Sequence, residues 1–266
     1  MEDLLNPYYM HLAEAMSERA KESQCIVSFF SVKNHDVQPI LDDLIANRVR
    51  GVINLAGFTC DFSCYDIFIG EGIPLINCTA EGPKVNVDYT SGMEQAMGLL
   101  RDSGCRNVAF LAGLEEWLAL KDQRVIYYCR NLKKYGFSEN PNLLLFGNYP
   151  QERSYTEGYR MCMELIASGE AFDAIFCLND MTALGVMKAL FDKNLKIPQD
   201  VSVIGCDDLD FTGYFQPALT TVSGDKKAEG YAYIDFILGH LPPQERSIRI
   251  PTYLVVRDSV AAKRSK

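Results

Sequence analysis

The sequence AFDAIFCLNDMTALGVMKALFDKNLKIPQDVSVIGCDD, residues 171–208, predicts a strand, then a helix, then a second strand. The apolar run at 174–178 is too short for a helix and is bounded by polar residues. Asn179 and Asp180 follow it and suit a helix N-cap, because their short side-chain oxygens can accept from free amides of the first turn. The apolar residues that come next at helical spacing form one face: Ala183, Val186, Met187, Leu190 and Phe191.

The end of this helix is also visible in the sequence. Asn194 suits a left-handed cap, and Pro198 prevents the helix from continuing. Residues 201–205, VSVIG, then form a second buried strand. Two strands joined by one helix are expected to be parallel neighbours with a right-handed crossover.

Four polar residues follow these two strands directly. Asn179 and Asp180 come after the first strand, and Asp207 and Asp208 come after the second. In open parallel sheets, ligands bind at the carboxyl ends of the strands. The sequence therefore predicts a binding edge at this place.

Strands and helices alternate along the rest of the chain, which argues for an α/β fold with parallel sheets. The further predicted strands are 25–30, 49–55, 73–77, 85–87, 108–112, 143–146, 220–222 and 253–256. The predicted helices between them include 7–21, 91–101, 122–134, 155–168 and 226–238. Pro7 suits a first helical position and Asn6 the cap before it.

Composition excludes several classes of protein. The chain has 266 residues, enough for one large domain or two ordinary ones, and 48% of them are apolar. The formal net charge is -9 and no Lys/Arg cluster stands out, so these residues alone should not bind DNA well. No apolar run approaches the roughly 20 residues that span a membrane.

Cysteine usage and the N-terminal residues predict a cytoplasmic protein. The nine cysteines are odd in number and scattered among apolar segments, which fits reduced thiols better than a disulfide framework. The start Met-Glu-Asp lacks the basic and apolar parts of an export signal.

Enzyme and cofactor motifs are missing from the sequence. No G-x-G-x-x-G follows a strand, and there is neither a Walker loop nor a G-x-S-x-G elbow. His11, His35 and His240 are far apart, without metal-ligand spacing. We therefore expect no catalysis, no metal and no cofactor.

Several blocks of sequence resemble one known family when taken in order. They are NPYYMHLAEAM, DAIFCLNDMTALGVMKAL, LKIPQDVSVIGCDD, YFQPALTTV and LVVRDS. Together they are similar to the effector-binding core of the lac repressor and galactose repressor family of bacterial transcription regulators, over nearly the whole chain.

The resemblance implies two Rossmann-like lobes with parallel sheets, of the periplasmic-binding-protein-like type I fold. Three crossovers would join the lobes, near Ser103, Val222 and Ser247. The lobes would then comprise 1–102 plus 223–246, and 103–222 plus 247–266. In this family a strand, a hinge and a helix-turn-helix precede the region that starts here at Glu2, so the first strand and the DNA-binding head are expected to be absent from this chain. Three explanations are open: the chain is a trimmed piece of a longer protein, its start is misassigned, or another segment takes the place of the strand.

The function implied by the resemblance is that of an effector-sensing and dimerisation core of a bacterial repressor. A small ligand, a sugar or sugar derivative, would bind between the lobes, and a homodimer would hold operator DNA through the helix-turn-helix. The alternative is a solute-binding protein of a sugar transporter. That class shares the fold but requires an export signal and usually tolerates no string of free thiols.

The resemblance also implies which side chains contact the effector. In the second lobe they are Asp207, Arg124, Asn179 and Tyr149. In the first lobe they are Tyr8, Tyr9 and Asp88. Sugar hydroxyls both donate and accept hydrogen bonds, and the C–H face of the ring packs on aromatic groups, so this set has suitable chemistry.

The individual roles follow from the residue types. Asp207 supplies acceptors, and the guanidinium of Arg124 supplies five donors that can bridge two neighbouring oxygens. Asn179 both donates and accepts, and Tyr149 offers a ring and a hydroxyl.

Structural roles are alternatives for the same residues. Asp207 and Arg124 would instead form only an inter-strand salt bridge, and Asn179 would serve as a helix cap, alone or together with ligand contact. Asp88 equally suits a cap for the helix after it. Asp180 is assigned to capping, without ligand contact.

The tyrosines and Asp208 have structural alternatives as well. Tyr8 and Tyr9 point in different directions on a helix, so one of them is expected in the core or an interface. Asp208 is assigned to surface or loop bonding. The residues after Arg124 are bulkier than the family usually has, Tyr127 and Tyr128 among them, which would reshape a cleft.

Overall fold

The computed structural model describes residues 6–30, 38–55, 62–148, 152–242 and 244–262. The chain divides into two compact units, Met1–Asp88 with Asp225–Ile250, and Tyr89–Gly224 with Pro251–Lys266. This division places the helix after Asp88 in the second unit, whereas the sequence expectation ended the first lobe at residue 102.

The helices of the described ranges are α1 (Pro7–Lys21), α2 (Gln38–Ala46), α3 (Asp66–Gly70), α4 (Thr90–Asp102), α5 (Glu116–Ala119), α6 (Gln123–Tyr135), α7 (Ser154–Ser168), α8 (Asp180–Asp192) and α9 (Lys226–Leu238). The strands are β1 (Val52–Ile53), β2 (Leu75–Ile76), β3 (Lys84–Asp88), β4 (Val108–Leu111), β5 (Leu144–Leu145), β6 (Ala174–Cys177), β7 (Ser202–Cys206), β8 (Thr220–Gly224) and β9 (Ser247–Val255). None of these helices has both the length and the apolar character needed to cross a membrane.

A mostly parallel sheet organises the second unit. Its strand order is β9-β8-β7-β6-β4-β5, and only β9 is antiparallel to its neighbour. The segment β6-α8-β7 has the predicted form, with Ile175 paired to Val203 in parallel register. One buried apolar cluster includes Phe110 and Phe176, and a second includes Leu111 and Cys177, because neighbouring strand residues point to opposite faces.

The first unit contains two smaller sets of strands. β1 and β2 form a parallel pair, and β3 is bonded to the beginning of β9. Helix α1 packs on α9, where Gly230 lies against the backbone of Leu12 and Met16. The start of α1 is as predicted, since Pro7 is the first helical residue and the Asn6 side chain accepts from the amide of Tyr8 at 3.0 Å.

Two strand predictions in the first unit are wrong in extent or in kind. Residues 25–30 form no ladder, although their exposure alternates residue by residue as a strand's would. The strand predicted at 49–55 is confined to Val52–Ile53. A ladder requires a hydrogen-bonded neighbour, and within the described residues β1 has only β2 beside it.

Two glycines allow α7 and α8 to pack with their backbones in direct contact. A methyl group at Gly158 would overlap the carbonyl oxygen of Thr182, and one at Gly185 would overlap that of Tyr155. Backbone atoms cannot rotate away as a side chain can, so these two positions require glycine.

We expect Gly185→Ala to lower the free energy of unfolding by about 2 kcal/mol, because the added methyl would force α7 and α8 apart. Urea denaturation measures the loss. Gly98→Ala in α4 is the matched control, since nothing lies within 4 Å of a methyl group there. That change should stabilise the protein by roughly 0.5–1 kcal/mol through helix propensity. Equal stability of the two variants would contradict the packing described.

Candidate functional site

The carboxyl edge of the second unit's sheet gathers the polar residues that the sequence places there. Asp207 and Asp208 follow β7 with φ angles of 117° and 53°, in the left-handed region that side chains other than glycine rarely adopt. The amide of Asp207 donates to the carbonyl of Val222 at 2.8 Å, which anchors this turn to β8. Such conformations cost on the order of 1–3 kcal/mol and are concentrated at functional sites.

Asp180 has a different role from the capping role predicted for it. It is fully buried, its Oδ1 accepts from the hydroxyl of Thr221 at 2.6 Å, and its Oδ2 accepts from the amide of Leu209 at 2.9 Å. Burial, followed by repulsion from Asp207, raises the pKa of Asp180 well above its ordinary value, although these two hydrogen bonds oppose the shift. The side chain therefore fastens the start of α8 to β8 and to the turn after β7.

Asn179 provides the cap of α8, as one of the two predicted roles requires. Its Oδ1 accepts from the amide of Thr182 at 2.8 Å and from the hydroxyl of the same residue at 3.0 Å. Its side-chain nitrogen donates to no acceptor in the described part of the chain. Asn179 can therefore cap the helix through its side-chain oxygen and still donate to a ligand through its side-chain nitrogen.

Arg124 is brought to the same edge, but its acidic partner is Asp122. Nε of Arg124 lies 2.9 Å from Oδ1 of Asp122, and Nη2 lies 2.7 Å from Oδ2. Nη1 donates to the carbonyl of Leu178 at 2.8 Å and lies 4.0 Å from Sγ of Cys206, the residue before Asp207. The sequence left open a salt bridge between Arg124 and Asp207. In the structure Arg124 instead forms a salt bridge with Asp122 through two hydrogen bonds.

The pair is held at the start of α6, because Asp122 is also the N-cap of that helix and accepts from the amide of Arg124 at 2.8 Å. The ring of Tyr89 lies beneath the guanidinium, with its centroid 4.7 Å from Cζ. Only 13% of the Arg124 side chain and 18% of the Asp122 side chain are exposed. Three N–H groups of Arg124 thus donate to oxygen acceptors of the protein, and Nη1 also makes a long contact with Sγ of Cys206.

Electrostatics favour the charged form of both partners. Burial acts to raise the pKa of Asp122, but the charge of Arg124 and its hydrogen bonds outweigh burial, so the pKa lies below its ordinary value. Burial acts to lower the pKa of Arg124, and Asp122 and then Tyr89 raise it well above its ordinary value. Burial raises the pKa of Tyr89 well above its ordinary value, although the charge of Arg124 opposes this shift.

Asp208 makes the loop bonding expected of it. Its Oδ1 accepts from Nη2 of Arg257 at 2.6 Å, and its Oδ2 accepts from the hydroxyl of Ser223 at 3.0 Å. Arg257 follows β9, and its Nη1 also donates to the carbonyl of Leu219 at 2.9 Å. The pair stabilises the turn that carries Asp207.

Two of the bulky residues after Arg124, Tyr127 and Tyr128, pack in or against the apolar core of the second unit. Tyr128 lies in the core of the second unit, and its hydroxyl donates to the carbonyl of Val108 at 2.6 Å. The hydroxyl of Tyr127 lies 3.4 Å from that of Tyr135.

The residues predicted from the first unit have their own neighbours there. The hydroxyl of Tyr8 donates to the carboxylate of buried Glu229, and the ring of Tyr9 meets that of Tyr8 edge-on at 5.5 Å. The carboxylate of Asp88 lies 4.0 Å from Arg249. The cap position of α4 belongs to Tyr89. Tyr149, the remaining predicted contact, lies outside the described residues.

Sequence reasoning missed Asp122. An aspartate at a helix N-cap two residues before an arginine is a pattern that indicates a salt bridge between the two. The reason is that both side chains lie at the same end of the helix. Within the described residues no cluster of three or more histidines, cysteines or carboxylates could hold a metal ion.

A double-mutant cycle with Arg124→Met and Asp122→Asn tests the pair. Asparagine keeps an acceptor for the helix cap, so the cycle isolates the charges. We expect each single change to lower the free energy of unfolding by roughly 1–3 kcal/mol, with a coupling energy above about 1 kcal/mol. The coupling should be present at neutral pH and lost as pH falls through the lowered pKa of Asp122.

The matched control is the exposed pair of Lys134 and Glu94, whose side chains are 55% and 57% exposed. Its coupling in the same cycle should stay below about 0.5 kcal/mol. A coupling between Arg124 and Asp122 no larger than this control would show that the two charges do not support each other.

Comparison with known proteins relates this architecture to a family. The family of periplasmic binding protein-like domains matches residues 97–260. The chain is 27% identical over 238 residues to the HTH-type transcriptional repressor PurR of Histophilus somni (strain 2336), covering 86% of this chain and 68% of that repressor. It is 26% identical over 273 residues to the ribose operon repressor of Lactococcus lactis subsp. lactis (strain IL1403), covering 99% and 80% respectively.

Solved structures share the fold. A LacI family transcriptional regulator from Enterococcus faecium with bound ribose is similar with a TM-score of 0.81 and 23% identity, over 98% of this chain and 97% of that one. The lac repressor dimer bound to operator and an anti-inducer is similar with a TM-score of 0.83 and 19% identity, over 98% and 92%. Because the family match spans more than half of the sequence and the similar repressors cover most of it, the chain belongs to the periplasmic binding protein-like family, as an effector-binding core of the lac and galactose repressor group.

Proposed function

We propose that this chain is the effector-sensing and dimerisation core of a bacterial transcription repressor that responds to a small, neutral, hydroxylated molecule. The observation that carries the proposal is the polar edge of the second unit, where the bidentate pair of Arg124 and Asp122 lies beside the strained turn at Asp207. The relatives named above are repressors, and a ribose-bound regulator shares the fold.

The charge of the edge argues for a sugar or sugar derivative. Asp122 already balances the charge of Arg124, so the guanidinium can donate to a hydroxyl without demanding an anion. The carboxylate of Asp207 suits two neighbouring hydroxyls, and the Asn179 nitrogen is a further donor. A similar regulator was solved as its cellobiose complex, and another with lactose, which supports this ligand class.

The remaining predicted contacts are part of the same proposal. Tyr149 and the first-unit residues Tyr8, Tyr9 and Asp88 stay predicted ligand contacts. Operator DNA would be held by a homodimer through a helix-turn-helix elsewhere in the polypeptide, because reading two half-sites requires two heads at a fixed spacing. Ligand would act by favouring one arrangement of the core over another. We also propose a cytoplasmic location and no enzymatic activity.

Asp207→Asn tests the acceptor role of this carboxylate. Asparagine tolerates the positive φ at this position, so the fold should survive while the paired acceptor is lost. Ribose, lactose, cellobiose and nucleosides are screened by thermal shift, and the dissociation constant of any hit is measured by calorimetry. We expect the hit to bind Asp207→Asn at least about tenfold more weakly, as the loss of a charged hydrogen bond implies.

Asp102→Asn at the exposed end of α4 is the matched control and should bind like the original protein. A hit whose affinity is the same for Asp207→Asn would remove Asp207 from the site. A screen in which no sugar or nucleoside shifts the transition would argue against the proposed ligand class.

The neutral pair predicts discrimination against anions. We expect a neutral sugar that binds to lose about tenfold or more in affinity when it carries a phosphate group, because the charge of Arg124 is already balanced. Asp122→Asn should reduce the difference in affinity between the neutral and the phosphorylated sugar, because the charge of Arg124 would no longer be balanced. Stronger binding of the phosphorylated sugar to the original protein would contradict the assignment.

A further inference from the structure

A carboxylate is buried in the first unit, at the start of α9. Glu229 exposes only 5% of its surface and stands in the first turn of that helix. Its amide donates to the carbonyl of Asp225 at 2.9 Å, and the Asp225 side chain caps the same turn by accepting from the amide of Ala228 at 2.8 Å. The backbone that carries the carboxylate is therefore fixed.

Packing alone does not favour an acid at this position. The residues that follow it in α9, among them Ala232 and Ile234, belong to an apolar cluster with Met16 and Ala20 of α1. A carboxylate that leaves water loses its hydration, and only hydrogen bonds from the protein compensate for this loss. An aliphatic side chain of similar size would avoid the loss, so the hydrogen bonds of Glu229 indicate why an acid stands there.

Two tyrosine hydroxyls meet the carboxylate. The hydroxyl of Tyr8 donates to Oε2 of Glu229, and that of Tyr233 lies 3.5 Å from Oε1. The side-chain nitrogen of Asn77 donates to the Tyr233 oxygen at 3.2 Å, which leaves the Tyr233 hydrogen for Glu229 or for the carbonyl of Val85. An ionised carboxylate has no hydrogen to donate, so Glu229 acts as an acceptor toward both tyrosines.

Tyr8 is held through both its backbone and its side chain. Its amide donates to the Asn6 side chain at 3.0 Å in the cap of α1, and its hydroxyl is bonded to Glu229. The ring of Tyr9 packs edge-on against its ring. The residue is half-buried, so part of its surface remains exposed. The orientation of this phenol is thus set before any ligand binds.

The bond to Glu229 decides how the Tyr8 hydroxyl can interact with a further partner. A phenol has one hydrogen and an oxygen that accepts through its lone pairs. Because the carboxylate takes the hydrogen, the oxygen of Tyr8 can only accept. A ligand group that meets this oxygen must therefore be a donor, such as a hydroxyl or an amine. An ether oxygen or a fluorine would leave the Tyr8 oxygen without a donor and is selected against.

We propose that Glu229 is a positioning and specificity-determining residue, which holds the Tyr8 hydroxyl as a hydrogen-bond acceptor and so selects effectors that present a donor to the first unit. This inference rests on the proposed function, in which Tyr8 is a ligand contact. It adds the polarity of that contact and a residue that sequence reasoning did not identify.

The probes are ribose, lactose and cellobiose, together with analogues in which one hydroxyl at a time is replaced by fluorine. Fluorine is close to a hydroxyl in size but cannot donate. Calorimetry measures the dissociation constants for the original protein, Tyr8→Phe, Glu229→Leu and Glu229→Gln, and circular dichroism checks that each variant is folded. Glu18→Gln is the matched control, because Glu18 also joins α1 to α9, through Lys227, but its side chain is 52% exposed.

We expect at least one fluorine analogue to bind the original protein about tenfold more weakly than its parent sugar, because a donor to Tyr8 is lost. This penalty should fall to about threefold or less in Tyr8→Phe, which lacks the oxygen, and in Glu229→Leu, where the hydroxyl can turn and donate. Glu229→Gln should reduce it in the same direction, since an amide donates as well as accepts. Glu18→Gln should keep the full penalty.

The outcomes separate this inference from the function on which it rests. Equal penalties in the original protein and in the Glu229 variants would overturn the role of Glu229, although a sugar binds. A penalty that is absent from the original protein, or unchanged in Tyr8→Phe, would remove the donor contact to Tyr8 and this inference with it. Absence of binding by all three sugars would instead contradict the proposed function itself.

Discussion

The arrangement of the polar edge depends on one buried carboxyl group, that of Asp180. It receives a hydroxyl from β8 and an amide from the turn after β7, while its own backbone begins α8. Three segments far apart in sequence are therefore fixed to one another by a single side chain. The position of Asp207, and with it the geometry offered to a ligand, follows from this link.

The second constraint is the pairing of Arg124 with a neighbour on its own helix. A guanidinium at the carboxyl ends of parallel strands would ordinarily attract anions, but here Asp122 cancels its charge and Tyr89 supports its face. The edge therefore presents fixed, directional hydrogen-bonding groups with little net positive field. Such an edge distinguishes ligands by the pattern of their hydroxyl groups more than by their charge.

Local patterns were sufficient for the strand–helix–strand unit around α8 and for the Asn6 and Asn179 caps, because these depend on residues within one helical turn. Partners that lie far along the chain were not predictable in the same way. Aspartate is a residue type that commonly caps helices, yet Asp180 accepts hydrogen bonds from Thr221 and Leu209 and so links α8 to β8 and to the turn after β7. Residues 25–30 have the alternation of a strand, but a ladder depends on a neighbour that a local pattern does not contain.

The open edge of β1 and the exposed Ile26 have a consequence for how this polypeptide behaves at high concentration. Unpaired strand edges flanked by apolar side chains can pair with the same edge of another molecule, and natural proteins usually guard such edges with charges, prolines or bulges. Within the described residues, Arg50 is the only charged side chain that borders the apolar cavity next to β1, which residues 25–30 and 49–55 line. Among the described residues, the free edge of β1 and the exposed Ile26 are accordingly the places where strand pairing between molecules would be expected to start.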